Sequence, residues 1–268
     1  MNSGVNAEPV GVIGGSGNDE LLDLHNAKQR QIATVHGTVE VTTGTVRGRS
    51  VVHVSRHGHR HERLSNHVQH RANIAALLEC GATSAIGLTV CGAVDPDLRP
   101  GSVVVFDDLH FPSNRLPDGT LCTWYESAGH PRRSHWVFDR PFSEDVRGTL
   151  LAAAPEAGVP IATAGTYGHV DGPRFNTRSE IAQLRAAGVA AVSQTGGPET
   201  VLSGEVRLPY ALLGYVTDFA NGVVTEPEPV EALLGRMAHS KQVFSTVLAS
   251  ALPAVNRPEP AGVIVEMA

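Results

Sequence analysis

A single α/β/α sandwich, with a mixed central sheet flanked by helices, is the fold this chain predicts. Three observations point to it. Short runs rich in Val and Ile alternate with helical segments along the chain. Glycine-rich or polar turns follow directly on the ends of those runs, as at Gly14-Gly15-Ser16-Gly17 and Arg56-His57-Gly58. Glycine is abundant, at 28 of 268 residues, while aromatics make up only 5%, which suits close packing of helices on a sheet. One domain over residues 1–268 is expected, with a core from about 10 to 251 and loose termini.

In chain order, Val10 to Ile13 is a short strand candidate that runs into the Gly14–Gly17 turn. Val39 to Val46 and Ser50 to Val54 are strand candidates joined by Arg47-Gly48-Arg49. Ser65 or Asn66 is placed to cap a helix running through Ala72, Ala76 and Leu77 to Cys80, with Gly81 as its stop. Ser84 to Val90 and Ser102 to Phe106 have the apolar character of buried strands. Pro112 to His135 is long, irregular and rich in Pro, Gly and His, and loops of that length are commonly functional. A second half repeats the alternation. Helices are expected at Glu144–Ala154, Arg178–Ala187 and Glu199–Val206, and strands at Pro160–Thr163, Ala190–Ser193 and Tyr210–Val216. Val230 to Leu252 is a long amphipathic helix, and the Pro-containing tail beyond it is expected to be loose.

Composition narrows the function. A formal net charge of −6 gives no general attraction to nucleic acid or membrane, so any bound anion must be held by local groups. Cys80, Cys91 and Cys122 are too few and too scattered for a disulfide framework or a zinc cluster, which fits a reducing, cytoplasmic setting. Met1 to Pro9 is polar without a signal-peptide pattern, and no apolar run nears the about 20 residues needed to span a bilayer.

The organising stretch is Val51 to His61. An apolar strand ends abruptly in Arg56 and His57, and strand ends are where α/β folds bind ligands. Arg56 offers a planar fork that matches phosphate oxygens, and His57 adds a further donor. Ser16 in its glycine turn, Thr89, Thr195 and the Thr217-Asp218 pair complete a constellation of hydroxyl and cationic groups at strand ends. Two rival readings stand beside an oxyanion site. One is a metal site built from His57, His59, His61, His67 and His70, but Gly58 breaks the helix that His57 and His61 would need, and no acidic general base lies between them. The other is a solvated polar loop. Cys91 reads as a small buried residue rather than a nucleophile. Phe175, in the loop Asp171-Gly172-Pro173-Arg174-Phe175, either stacks on a planar ring or plugs the core. Asp218 either engages a heterocycle nitrogen or serves as a cap or ion-pair partner.

Taken together, these motifs resemble the trimeric purine nucleoside phosphorylase superfamily, and within it the 5'-methylthioadenosine phosphorylase branch. The matching residues are Gly11–Gly17, Arg56-His57-Gly58 with His61, Val68 with Arg71-Ala72-Asn73, Thr89 with Cys91-Gly92, Pro100-Gly101, Gly172-Pro173-Arg174-Phe175, Pro198-Glu199 with Val201-Leu202, and Thr217-Asp218. The resemblance implies reversible phosphorolysis of a purine nucleoside to free base and ribose 1-phosphate. It implies no metal and no organic cofactor, with inorganic phosphate as co-substrate, and a homotrimer or dimer of trimers. By this resemblance Ser16, Arg56, His57, Thr89 and Thr195 hold phosphate, with Asp218, Thr195 and His57 catalytic. Cys91, Gly92, Phe175, Gln194, Asp218, Ala220 and Asn221 surround the nucleoside. His135, from a neighbouring subunit, and Val230 and Leu234 form the apolar pocket for a 5' thioether, where a hydroxyl would be buried without a partner.

Three departures from the branch pattern stand out. A second aspartate, two residues beyond the first, is replaced by Ala220 and followed by Asn221. The branch's Asn-Met-Thr reads Ser193-Gln194-Thr195. The Pro-Phe-Gly-x-Pro-Ser loop before Ala33 is missing. The expected substrate is 5'-methylthioadenosine or a 5'-modified analogue. A 6-oxopurine nucleoside such as inosine, guanosine or 5'-methylthioinosine is the first alternative, and a catalytically altered nucleoside-binding protein the second.

Overall fold

The computed structural model describes residues 8–15, 22–58, 61–226 and 228–267. Its centre is a buried strand, β5 (Ser84–Ala93), on which three other strands converge. One edge of β5 pairs in parallel with β12 (Tyr210–Phe219) from Ala85 to Ala93. The other edge is shared. β1 (Val10–Gly14) pairs in parallel with Ser84–Gly87, and β11 (Val189–Ser193) pairs antiparallel at Gly92 and Ala93. Between Gly87 and Gly92 that edge of β5 faces no strand among the described residues.

From this centre the sheet grows outward to eleven strands. β4 (Arg49–Ser55) lies beside β1, then β3 (Gly37–Val46) and β2 (His25–Thr34) form an antiparallel edge. On the other side β10 (Thr166–His169) follows β11, and β7 (Asp108–His110) follows β10. β6 (Val103–Val105) pairs with β12 and with β9 (Ile161–Ala162). The sheet is therefore mixed, as the sequence predicts.

Helices cover both faces. α1 (His70–Glu79) and α4 (Gly196–Glu205) close one core, where Ile74, Ala76, Leu77 and Leu202 meet Val52, Val54 and Leu212. α2 (Glu144–Ala153) and α5 (Val230–Ala254) close the other, where Val146, Leu150, Phe244 and Leu248 meet Val10, Ile86 and Leu213. α3 (Arg178–Ala186) packs Ile181 against Val189 and Ala220. Two apolar layers on one sheet give the α/β/α sandwich its main driving force.

Several local expectations are corrected. Ser65 and Asn66 do not cap α1; Ser65–His67 form a single 3₁₀ turn, and α1 begins at His70 with Gln69 before it and no side-chain cap bond. The Ser65 hydroxyl is spent elsewhere, on the Gln194 side chain. α4 starts three residues earlier than predicted, at Gly196. Pro198 is tolerated because first-turn N–H groups have no helical partner. Gly197 is dictated by packing, since a Cβ there would lie 2.7 Å from His169. β12 continues through Asp218 to Phe219 rather than ending at Val216. The tail is not loose at its end: β13 (Val263–Glu266) pairs antiparallel with β8 (Ser134–Val137), placing Val265 opposite His135. β8 also closes the long loop that begins at Pro112. Strands β2, β7 and β10 were not evident from apolar patterning. β2 is the clearest case, a polar edge strand, His-Asn-Ala-Lys-Gln-Arg-Gln, held by its ladder with β3 rather than by a buried face.

Candidate active site

The strand-free stretch of β5 opens into a cavity of about 290 Å³. Its walls are the ends of β1, β4, β5, β11 and β12, with the loop before α3 and the first turns of α5 as its outer rim. Arg56, His57, Thr89, Cys91, Gly92, Phe175, Gln194, Thr195, Asp218, Ala220 and Asn221 all line it, so eleven candidates from distant parts of the chain meet at one place. Ser16 lies outside the described residues; its neighbour Gly15 lines the cavity, and a Cβ there would sit 3.1 Å from Arg56 Nη1.

Arg56 anchors one end. It is 2% exposed, and its Nε and Nη2 donate to Glu199 Oε1 and Oε2 at 2.6 and 2.9 Å. Nη1 donates to Leu88 O at 2.6 Å, and Nη2 also reaches Ile13 O at 3.2 Å. Among the described residues four of its five donors are thus used, which leaves one Nη1 hydrogen. Burial works against the cation, but Glu199 more than offsets it and raises the Arg56 pKa. Tyr210 Oη donates to Glu199 Oε2 at 2.8 Å, and Gly87 is required beneath it, because a Cβ would collide with that phenol.

His57 is buried beside Arg56. Its Nδ1 donates to Arg63 O at 2.8 Å, since a carbonyl can only accept, so the neutral ring carries a bare Nε2. Burial and the neighbouring Arg56 push its pKa down to about 4. Thr89 Oγ1 lies 3.0 Å from Ser193 Oγ and 3.0 Å from Val90 O. Thr195 immediately precedes α4 but makes no side-chain cap bond. Its backbone N–H donates to Tyr167 Oη at 3.3 Å, as does that of Gly196 at 3.0 Å. The N-terminus of α4 therefore abuts this end of the cavity through Thr195, with these two amides taken by Tyr167.

At the other end Asp218 projects from β12. Burial raises its pKa, and the Thr217 hydroxyl, which donates to Oδ1 at 2.7 Å, only partly opposes that. Arg236 donates to Thr217 O at 3.0 Å and pairs with Glu228, so its charge is engaged outside the cavity. The Cys91 thiol faces Tyr215 O at 3.6 Å, and burial raises its pKa strongly, consistent with a packing role. Asn221 Nδ2 donates to Asn176 O at 2.7 Å, fixing its carboxamide, and Ala220 presents a buried methyl beside Gly92. Phe175 stays 66% exposed at the mouth.

Three expected residues do not line this chain's own cavity, one of them, His135, being expected at a neighbouring subunit's site. Val230 and Leu234 are 64% and 57% exposed and outside the cavity; Leu233 and Met237, one residue off in phase, line it instead. The helix phase is set further along, by the buried stripe Ser240, Val243, Phe244, Val247 and Ala251, which carried the missed signal. His135 stands exposed on β8 and does not reach its own chain's cavity. Asn176 is not singled out by the sequence, and Ser193 only as a departure from the branch motif. Among the described residues no group of three or more His, Cys, Asp or Glu is arranged to hold a metal ion.

The fold that carries this site recurs in known proteins. A family model described as the phosphorylase superfamily matches residues 9–253. A probable 6-oxopurine nucleoside phosphorylase of Thermococcus kodakarensis is 34% identical, covering 84% of this chain and 85% of its own. A probable S-methyl-5'-thioinosine phosphorylase of Xanthomonas campestris is also 34% identical, covering 81% and 86%. An S-methyl-5'-thioadenosine phosphorylase of Thermofilum pendens is 32% identical, covering 92% of each chain. Among solved structures, methylthioadenosine phosphorylase from Schistosoma mansoni in complex with adenine superposes with a TM-score of 0.82 at 29% identity, covering 92% of this chain and 91% of that one. The chain belongs to the phosphorylase superfamily. It is a pentosyltransferase of the nucleoside phosphorylase type.

Proposed function

We propose that the chain cleaves purine nucleosides with phosphate, and that its preferred substrate is a 6-oxopurine nucleoside bearing an apolar 5' substituent, in the class of 5'-methylthioinosine. The observation that carries this choice is Ala220. A 6-amino group wants an acceptor, which a second carboxylate at this position would supply. Here there is a methyl group, followed by the fixed carboxamide of Asn221, which can offer both a donor and an acceptor to a 6-oxo base with its N1–H. The apolar 5' preference is supported by Leu233, Met237 and Phe244 in the cavity wall.

Phosphate lies at the Arg56 end in this reading, held by the free Nη1 hydrogen, Thr89, Thr195, Ser16 and the α4 N-terminus. Bare Nε2 of His57 accepts a proton shared with hydrogen phosphate. A phosphate oxygen forms a bond to C1' as the C1'–N9 bond breaks, and that bonding pair moves into the purine. Asp218, whose pKa burial raises, shares a proton with N7 and so neutralises the leaving base. Phe175 stacks on the ring. No other cofactor enters this scheme.

Assembly is proposed as a homotrimer in the cytoplasm serving purine salvage, with His135 of one copy placed over the 5' group of another. Support comes from its exposure on the β8–β13 ribbon, and from the exposed Leu64 and Phe175 at the cavity mouth, which a second copy would cover. No helix among the described residues is long and apolar enough to cross a membrane.

A second reading, 5'-methylthioadenosine as substrate, is favoured by the likeness to the Schistosoma mansoni enzyme. The deciding experiment is base release from 5'-methylthioinosine, inosine, guanosine, 5'-methylthioadenosine and adenosine, with and without phosphate. Phosphate-dependent release fastest from 5'-methylthioinosine is expected. Fastest release from 5'-methylthioadenosine would install the second reading, and binding without release would make the chain a nucleoside-binding protein.

A further inference from the structure

We propose that Glu180 is a positioning residue for the base end of the cavity, setting the ring of Phe175 by holding the residues on both sides of it. The proposal rests on the phosphorolysis reading above, in which Phe175 stacks on the purine. Glu180 takes four hydrogen bonds on one carboxylate. Arg174 Nη2 donates to Oε1 at 2.6 Å and Arg174 Nη1 to Oε2 at 2.9 Å. Asn176 Nδ2 and the Thr177 amide donate to Oε2 at 3.3 and 2.8 Å. Arg174, Asn176 and Thr177 are thus gathered on one group, and Phe175 lies between them in the chain. The Arg174 bonds and the Thr177 amide hold the Glu180 pKa down to about 2, so the carboxylate keeps its charge at neutral and mildly acid pH.

Glu180 is itself referenced to the site through the core. The next residue, Ile181, is 3% exposed and packs against Val189 and Ala220, and both Ile181 and Ala220 line the cavity. The loop is pinned from the cavity side as well. Arg174 O accepts from Gln194 Nε2 at 3.1 Å, and Asn176 O accepts from Asn221 Nδ2 at 2.7 Å. The residues flanking Phe175 are therefore held twice, by side chain to Glu180 and by carbonyl to the cavity wall. Phe175 is 66% exposed, so little packing fixes its ring, and its place at the mouth comes from these neighbours. The Arg174–Glu180 fork acts as a latch on them. An exposed ion pair adds little to stability, because water screens it and ordering two long side chains costs entropy. Here that ordering is complete before the nucleoside arrives, and its value lies in preorganising the stack.

The test is steady-state kinetics on the nucleoside of the above panel that is cleaved fastest, in wild type, Glu180→Gln, Arg174→Met, Phe175→Leu, and Glu180→Gln combined with Phe175→Leu. Glutamine serves a capping box as glutamate does, so Glu180→Gln separates the latch from the cap of α3. Its nucleoside KM should rise ~3–5-fold while kcat and the phosphate KM hold, the pattern of lost uniform binding. Arg174→Met, which leaves α3 untouched, should show the same rise and covers the case in which Glu180→Gln folds poorly. Phe175→Leu should raise the nucleoside KM by ~3–10-fold. Adding Glu180→Gln to it should change that KM by less than ~1.5-fold, because both act through one ring. A nucleoside KM unchanged in both Glu180→Gln and Arg174→Met, or a full further rise in the Phe175→Leu background, would overturn the proposal and leave Glu180 as a helix cap alone. A wild-type KM in Phe175→Leu, or a wild type without phosphate-dependent release, would overturn the reading beneath it. Those two outcomes are distinct, because both appear with Glu180 unaltered.

Discussion

Arg56 and Glu199 meet edge to edge, Nε to Oε1 at 2.6 Å and Nη2 to Oε2 at 2.9 Å, with side chains only 1% and 0% exposed. They are 143 residues apart in sequence, one after β4 and the other in α4. Removing one member strands the other charge out of water. Glu199→Gln should therefore cost about 3–5 kcal/mol in urea unfolding and raise the phosphate KM, because the guanidinium loses its fixed orientation. Replacing both, as Arg56→Met with Glu199→Leu, should recover much of that stability while abolishing phosphate dependence. A double variant as unstable as Glu199→Gln alone would show that packing, not charge, holds this corner.

Asp218 gives a prediction in rate and pH. Burial raises its pKa, so the acid form needed to donate to the leaving base extends to higher pH than an exposed aspartate would allow. Turnover should fall as pH rises through that raised value. Asp218→Ala should lower kcat by about 10²–10⁴-fold, the range for losing a general acid, with little change in phosphate KM. Unchanged kcat would remove Asp218 from the chemistry.

Three buried histidines bear on acid stability. His57 is held down to about 4 by burial and Arg56, His169 to about 3 by burial, and His70 well below its usual value by burial and its neighbours. Each folded-state pKa lies below the unfolded value near 6.5, so the unfolded chain takes up protons first. Stability should hold above pH 6.5 and decline as pH falls toward 4, His57 alone contributing ~3 kcal/mol. Thermal unfolding of wild type and His169→Phe between pH 8 and 5 checks this, and the variant should show the shallower decline. Saturating phosphate should flatten it further if His57 faces the anion.

Ala220 sets up a substrate switch. Ala220→Asp should shift relative kcat/KM from 6-oxo toward 6-amino nucleosides by ~10-fold or more, since an acceptor would then face the exocyclic amine and repel O6. No shift in the ratio would place base recognition on Asn221 and Asn176 instead.

How much of this was legible in the sequence follows from where each signal lies. Eleven of the fifteen distinct site candidates converge because strand ends carry their polar residues in fixed local patterns, such as Arg56-His57-Gly58 and Thr217-Asp218. Val230 and Leu234 miss the cavity because the phase of α5 is decided by its distal half, where Phe244 and Val247 enter the core. The Ser65 cap fails because a long-range partner, Gln194, outbids the local helix, a competition no neighbouring residue announces. β13 went unrecognised because its partner is the equally short β8, and Val263 and Val265 stay exposed on it. Glu199, hidden in Pro198-Glu199, gave no hint of its tie to Arg56.

The edge of β5 that β1 leaves at Gly87 and β11 joins at Gly92 gives the protein a sheet with a built-in seam. Among the described residues the peptide groups that point to this edge have no neighbouring strand to bond, and two of their carbonyls, Leu88 and Val90, are already taken by Arg56 and by the Thr89 hydroxyl. A ligand entering the cavity thus supplies hydrogen-bonding company that the chain withholds from itself. The amides of Leu88 and Val90, which point to this edge, should exchange with solvent faster than those of Thr89 and Cys91, which point to β12, and slow when substrate and phosphate are both present. Binding would then stiffen the middle of the molecule rather than its rim, so that the protein's most central strand becomes fully laced only while it holds its cargo.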